Sequence, residues 1–133
     1  MKTPDYQPRY YRDWSKDRDL VSFNVVVKET DLYIRARKNY KDKAFEIVQR
    51  QRAALENYIA RHPGFLTALV PFPVSADAPA IARSMEEAAE KVNVGPMAAV
   101  AGAFAEFVGK DLLKFSSEII VENGGDIFLK TAK

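Results

Sequence analysis

The chain contains no cysteine among its 133 residues and only one histidine, His62. The absence of cysteine excludes disulfide bonds, thiolate zinc sites and cysteine nucleophiles. A lone histidine also excludes a metal site built on several histidines of one chain. A cysteine-free composition fits a reducing compartment, and we therefore expect a cytoplasmic protein.

Strong net charge and long apolar runs are also missing. The formal net charge is +2, which is too small to indicate nucleic acid as a partner. The most apolar stretch, residues 94–105, is shorter than the roughly 20 residues that a transmembrane helix needs. The first 14 residues lack the apolar segment of a signal peptide. We therefore expect no nucleic-acid partner, no membrane span and no signal peptide.

Alternating apolar residues predict an antiparallel sheet. Residues 22–29 and 32–36 alternate, with Thr30 and Asp31 as the break, which indicates a hairpin. Residues 118–122 and 127–129 form a second predicted pair, and residues 10–14 suggest a further short strand.

Apolar positions at helical spacing predict three helices. The first covers residues 41–61, and the second follows Asp77 as its N-cap with Pro79 in its first turn. The third runs from Pro96 to about Leu113 and is apolar nearly all round, so we expect it to be the most buried. Residues 65–74 are interpreted as an apolar connection packed on the core. The fold class is therefore α+β, one domain over residues 1–133, with an antiparallel sheet covered by about three helices.

The start of the third predicted helix is the strongest candidate for a binding site. Gly95, Pro96, Met97 and Ala98 begin this helix, whose N–H groups and dipole suit an anion. Ala98, Gly102, Ala105 and Gly109 then form a face of small residues, which allows a backbone, a sheet or a ligand to approach closely. A tight turn between two helices is the alternative interpretation of the glycine and proline.

A second candidate is the turn formed by Asn123, Gly124, Gly125 and Asp126. Two glycines would bring bare backbone against a ligand, while the Asp126 carboxylate orients a hydroxyl or a ring nitrogen. A simple hairpin turn explains the same residues, because Asn-Gly favours positive φ angles.

Two single residues complete the candidates. Glu106 is the only charge in residues 94–108 and is a weak catalytic candidate if it faces the core. It would otherwise lie at the one wet edge of its helix. His62 ends the first predicted helix, and no serine or aspartate stands at a spacing that suggests a triad.

The segment GPMAAVAGAFAEFVGKDLL, followed by EIIVENGGDIFL, resembles uncharacterised protein family 0280, an ApbE-like group. VSFNVVVKETDLYIRA and YIARHPGFLTALVPFPV are similar to the N-terminal region of that family. The resemblance implies a distant relationship to the ApbE transferases, which use magnesium to move FMN from FAD onto a protein threonine.

Individual positions agree with the motifs of the transferases only in part. Gly124, Gly125 and Asp126 match the Gly-Gly-Asp of the transferases. Gly95 stands where they place an aspartate and Ala101 where they place a lysine. The resemblance therefore implies a retained pocket for FAD or FMN more than retained flavin transfer, with magnesium less favoured.

Two classes of function stay open. One is an enzyme, transferase-like, or a binding protein with a flavin or nucleotide-like pocket; the other is a non-catalytic interaction domain, or an accessory role in sulfur assimilation to homocysteine. The resemblance also implies that the chain is the N-terminal part of a longer protein whose later half completes the pocket. We expect the chain alone to be catalytically silent, and to form homo-oligomers through a sheet edge or to pair with the missing C-terminal part.

Overall fold

The structure, a computed structural model, describes residues 19–130. Its four strands form one antiparallel sheet in the order β1-β2-β3-β4, and Phe23, Ile34, Val121 and Phe128 lie side by side across it. The α+β class and the antiparallel sheet are confirmed, while the strand predicted at residues 10–14 lies outside the described part. The strands are β1 (Val21–Val27), β2 (Thr30–Ala36), β3 (Ile119–Asn123) and β4 (Asp126–Lys130).

The first hairpin turns earlier than predicted. Val27 pairs with Thr30, so Lys28 and Glu29 form the turn, and Lys28 adopts a left-handed φ of 54°. Thr30 belongs to β2 and is buried, because its hydroxyl accepts a hydrogen bond of 2.7 Å from the Arg52 guanidinium. The prediction that Thr30 breaks the strand is wrong.

The described helices are α1 (Lys41–Arg61), α2 (Gly64–Thr67), α3 (Ala80–Glu90) and α4 (Val100–Leu112), with a 3-10 turn at Pro96–Ala99. The three predicted helices are present, but the third begins with this 3-10 turn, since helix starts often tighten in that way. The short helix α2 lies where an irregular connection was expected.

The predicted N-cap of α3 is wrong. Pro79 precedes the helix, and no side-chain hydrogen bond caps it. The Asp77 carboxylate is instead engaged by Arg61, at 3.1 Å, and by Ser75. Because a carboxylate with these partners is already satisfied, it does not turn toward the helix N–H groups.

The apolar side chains form two adjoining cores. The first lies between the sheet, α1 and α4, and includes Val48 and Val108. The second lies between the end of α1, α2, α3 and the start of α4, and includes Met85 and Phe104. Helix α4 contributes to both, which agrees with its nearly continuous apolar pattern.

The connection at residues 65–74 is only partly packed. Phe65 is fully buried, whereas Leu66, Leu69 and Val70 are exposed. The expectation that this stretch packs on the core is therefore wrong for these three residues, whereas Phe72 and Val74 do pack against the second core. Across residues 19–130, no helix combines the length and the apolar character that crossing a membrane requires.

The small-residue face of α4 lies against the β3–β4 hairpin. A Cβ atom built on Gly109 would lie 2.1 Å from the Phe128 ring, whereas one built on Gly102 would lie 3.6 Å from the Asp126 carboxylate. The sequence left three possible partners for this face, namely a backbone, a sheet or a ligand, and in the structure the face packs against the sheet. The backbone of α4 approaches β4 more closely at Gly109 than any side chain there would allow.

We expect Gly109→Ala to destabilise the protein by about 1–3 kcal/mol, because the added methyl group overlaps the Phe128 ring. The matched change Gly102→Ala should be neutral or stabilise by up to about 1 kcal/mol, since it meets ordinary contacts and removes a flexible helical glycine. Urea unfolding of both variants measures the difference. Equal effects of the two substitutions would contradict the packing described at Gly109.

Candidate functional site

An apolar groove of about 690 Å³ lies beside the start of α4. Its walls come from the second half of α1, from α2, from the 3-10 turn and from α4, and residues of both hairpins, Glu29, Thr30 and Asn123, also line it. The volume is within the range of small-molecule sites, which are typically about 300–1,000 Å³. The apolar walls are formed by Leu55, Ile59, Ala60, Leu66, Met97, Val100, Ala101 and Phe104.

The polar end of the groove is organised around Arg52. Its guanidinium donates to the Thr30 hydroxyl at 2.7 Å, to Glu29 at 3.1 Å and to Glu56 at 2.8 Å. Only 16% of the Arg52 side chain is exposed, whereas the Glu29 side chain is 88% exposed. Two carboxylates against one guanidinium make this end of the groove negative.

A backbone hydrogen bond lowers the pKa of Glu29 from its ordinary value, and the hydrogen bond and positive charge of Arg52 act in the same direction. Both interactions favour the ionised form of the carboxylate.

A smaller cleft of about 300 Å³ lies between α3 and α4. Gly102 forms part of its wall, and Glu106 and Asp126 supply its two carboxylates. Glu106 accepts a 2.6 Å contact from Lys110 and is 40% exposed, so the structure places it at the wet edge of the helix. Among residues 19–130, no three acidic, histidine or cysteine side chains come together as a metal site would require.

The two predicted segments, residues 95–98 and 123–126, both lie beside the start of α4. Their residues are divided between the groove and the smaller cleft. Met97 and Asn123 line the groove, whereas Ala98 and Asp126 line the smaller cleft. The Asn123 amide donates to the Ala101 carbonyl at 3.1 Å, which fixes the hairpin against α4. Each cavity therefore contains one residue from each segment.

Gly95 and Pro96 are buried and form an internal turn. A Cβ atom on Gly95 would lie 1.8 Å from the Ala68 carbonyl oxygen, so the backbone that approaches this glycine belongs to the chain itself. Pro96 has no N–H, and the Ala98 N–H donates to the Gly95 carbonyl at 3.2 Å. These features remove two of the N–H groups on which the anion interpretation depends, and the tight turn describes the geometry.

The glycines of the second segment serve the hairpin. Gly124 and Gly125 have φ angles of 57° and 105°, and Asn123 pairs with Asp126 on either side of them. The two central residues of this turn are therefore Gly124 and Gly125, and Asn123 lies in β3 rather than at a central position as the Asn-Gly pattern predicts. No heavy atom lies within 4 Å of a Cβ atom built on Gly124, apart from its chain neighbours.

A cluster of polar side chains at the end of α1 was missed in the sequence. The Ser75 hydroxyl lies 3.3 Å from His62 Nε2 and 3.3 Å from the Tyr58 hydroxyl, and it donates to Asp77. The Ser75 N–H donates to the Tyr58 hydroxyl at 3.1 Å. Separations of 13 and 17 residues carry no periodic signal, so only the fold reveals the cluster.

This cluster does not have the geometry of a catalytic triad. In a triad, serine and aspartate use different nitrogens of the histidine. Here Ser75 and Asp77 both face Nε2 of His62, and the serine proton is directed at the carboxylate. The arrangement instead ties the end of α1 to the loop that precedes α3.

Comparison with known proteins gives a consistent set of similarities. The family model described as AbpE bacteria matches residues 12–133. A UPF0280 protein of Methanocaldococcus jannaschii is 46% identical over 121 residues, and one of Methanococcus aeolicus is 43% identical over 120 residues. These matches cover 90% and 89% of the chain but only 46% of each relative, so the chain spans about half the length of these proteins.

The Asp77 cluster predicts a pH-dependent contribution to stability. The Ser75 hydrogen bond, followed by one from His62 and a backbone hydrogen bond, holds the pKa of Asp77 below its ordinary value of 3.8, and the charge of Arg61 acts in the same direction. A depressed folded-state pKa stabilises the protein above pH 3.8, and this stability is lost as the pH falls through the lower folded-state value. At pH 6, Asp77→Asn should therefore lower the urea midpoint of unfolding relative to the parent chain. In strong acid, this difference between the variant and the parent should disappear.

Ser75→Ala supplies the control, because it removes the largest cause of the shift. Adding Asp77→Asn to Ser75→Ala should change the urea midpoint less than Asp77→Asn changes it in the parent. If the urea midpoints of the parent and of Asp77→Asn differ by the same amount at every pH, that result would contradict this role for the carboxylate.

Proposed function

The chain belongs to the AbpE bacteria family, and from that premise we propose that it binds the ring of a flavin or a similar nucleotide-like ligand in the apolar groove. The observation that carries the proposal is the groove itself, about 690 Å³ of mainly apolar space beside both predicted segments. Flat aromatic rings bind between apolar walls with a few polar groups at their edges. The groove offers this combination.

Three elements line the groove with apolar side chains that suit a flat ligand. Leu55 and Ile59 come from α1, and Met97 and Val100 come from the 3-10 turn and α4. A methionine side chain adapts to a ring face and makes favourable sulfur–aromatic contacts. Asn123 lies at the edge of the groove, where its side-chain amide is already oriented by the Ala101 carbonyl.

The charge of the groove favours the ring over a phosphate group. Arg52 is the cation that lines it, and its N–H groups are directed at Thr30, Glu29 and Glu56. A phosphate group placed there would have to displace carboxylates from the guanidinium and would itself be repelled by them. We therefore infer that FMN or FAD binds through its isoalloxazine ring, with its phosphates directed away from this end.

We infer ligand binding without flavin transfer. By the resemblance to the transferases, Gly95 and Ala101 replace their aspartate and lysine. Gly95 is packed under Ala68, and Ala101 contributes only a methyl group to the groove wall. Neither position supplies a proton donor or a cation to a reacting phosphate. A cytoplasmic location remains part of this proposal.

An interaction domain is the second candidate function. It is favoured by the exposure of Leu66, Leu69 and Val70, which lie close together in the chain. Large exposed apolar patches typically mark binding sites for other proteins.

Titration with FMN and FAD, followed by flavin fluorescence and calorimetry, tests the proposal. Ala101→Leu places a larger side chain in the groove and should weaken binding by about tenfold or more. Ala98→Leu is the matched control, because Ala98 lines the smaller cleft and should leave the affinity unchanged. Thermal melting confirms that both variants fold.

Three results would contradict the proposal. The parent chain could bind neither flavin, which favours the interaction domain. Ala98→Leu could weaken binding while Ala101→Leu does not, which would move the ligand to the smaller cleft. Equal losses in two well-folded variants would show that the ligand is not held specifically in the groove.

A further inference from the structure

The polar end of the groove contains two hydrogen-bonding groups that other protein groups do not use. The Thr30 hydroxyl oxygen accepts from Arg52 Nη1, and Glu56 Oε2 accepts from Arg52 Nη2. Within residues 19–130, no group accepts the Thr30 hydroxyl proton and none donates to Glu56 Oε1. Both residues line the groove, so one donor and one acceptor remain there for a ligand.

These two groups are held in place before any ligand binds. Arg52 and Glu56 lie one turn apart on α1, and Thr30 is only 8% exposed and pairs with Val27 in the sheet. The guanidinium is planar and its two terminal nitrogens are neighbours, so it holds its two partners beside each other. We call Thr30, Arg52 and Glu56 the Arg52 fork.

A flavin ring has one edge that complements the Arg52 fork. The pyrimidine edge carries the N3–H donor between two carbonyl groups, whereas the dimethylbenzene edge carries only methyl groups. Methyl groups placed against Thr30 and Glu56 would exclude water from a hydroxyl and a carboxylate without giving them a partner, which is costly. The pyrimidine edge supplies both a donor and an acceptor.

We propose that the Arg52 fork binds the pyrimidine edge and thereby fixes which end of a flavin enters the groove. This inference rests on the flavin site proposed above. Glu56 Oε1 accepts from the ring N3–H, and the Thr30 hydroxyl donates to a neighbouring ring carbonyl. The ribityl chain leaves from the central ring, so a phosphate at its end stays away from the carboxylates of Glu29 and Glu56.

Riboflavin and N3-methylriboflavin distinguish this orientation from flavin binding in general. Methylation removes the N3–H donor and adds bulk beside Glu56, and neither compound carries a phosphate. Calorimetric titration of the chain should show that N3-methylriboflavin binds about tenfold or more weakly than riboflavin, because a hydrogen bond to a charged group is lost. Glu56→Ala should reduce this ratio of affinities to about threefold or less, since it removes the acceptor.

Glu46→Ala is the matched control. Glu46 is an exposed glutamate of the same helix, and it does not line the groove. The variant should keep the ratio of affinities measured for the parent chain, and thermal melting should show that both variants fold. If Glu46→Ala lowers the ratio as much as Glu56→Ala does, the role assigned to Glu56 is wrong.

Riboflavin labelled with ¹⁵N at N3 provides a direct second measurement by NMR. The N3–H proton should exchange with water about tenfold or more slowly in the bound ligand than in free riboflavin, because Glu56 holds it in a hydrogen bond. Glu56→Ala should remove most of this protection, and Glu46→Ala should retain it.

The failure of this inference can be told apart from the failure of the flavin site. Equal affinities for the two compounds, or N3–H exchange as fast in the bound ligand as in free riboflavin, would overturn the orientation and leave the flavin site in place. No binding of either compound would overturn the flavin site and the orientation together.

Discussion

The close contact between α4 and the β3–β4 hairpin is the constraint on which the rest of the structure depends. Gly109 lets the Phe128 ring lie against the helix backbone, and the Asn123 amide fastens the hairpin to the Ala101 carbonyl. With the hairpin fixed there, α4 has one side on the sheet and another side toward α3. The start of α4 then separates the apolar groove from the smaller cleft, and both cavities follow from this one packing arrangement.

The distribution of charge gives the two cavities different properties. The groove holds a guanidinium enclosed by carboxylates and large apolar walls, whereas the cleft holds Glu106 and Asp126 beside very small side chains. Lys110 already neutralises Glu106 at 2.6 Å. An aromatic ring gains more from the first environment, because burial of apolar surface is the main driving force available to it.

Much of the fold follows from residue periodicity, but the site follows only in part. Alternation located both hairpins because half-buried strands repeat every two residues, although the turn at Lys28 carries no glycine to signal it. Asp77 looked like a helix cap because its competing partners, Arg61 and Ser75, depend on tertiary structure.

The local patterns at Met97 and Asn123 pointed to the groove, whereas Leu55 and Ile59 reach it only through the path of α1. Gly95 gave the strongest local signal, yet its partner is the Ala68 backbone, which no local pattern could reveal.

The central claim is that a flat ring ligand lies in the groove beside the start of α4. Methyl-resolved NMR with FMN tests it most directly, because methyl groups line both cavities. Binding in the groove predicts ring-current shifts and contacts from the isoalloxazine protons to Met97, Val100 and Ile59, with the methyl groups of Ala88 and Ala98 unaffected. Shifts confined to Ala88 and Ala98, or no shifts at saturating FMN, would contradict it.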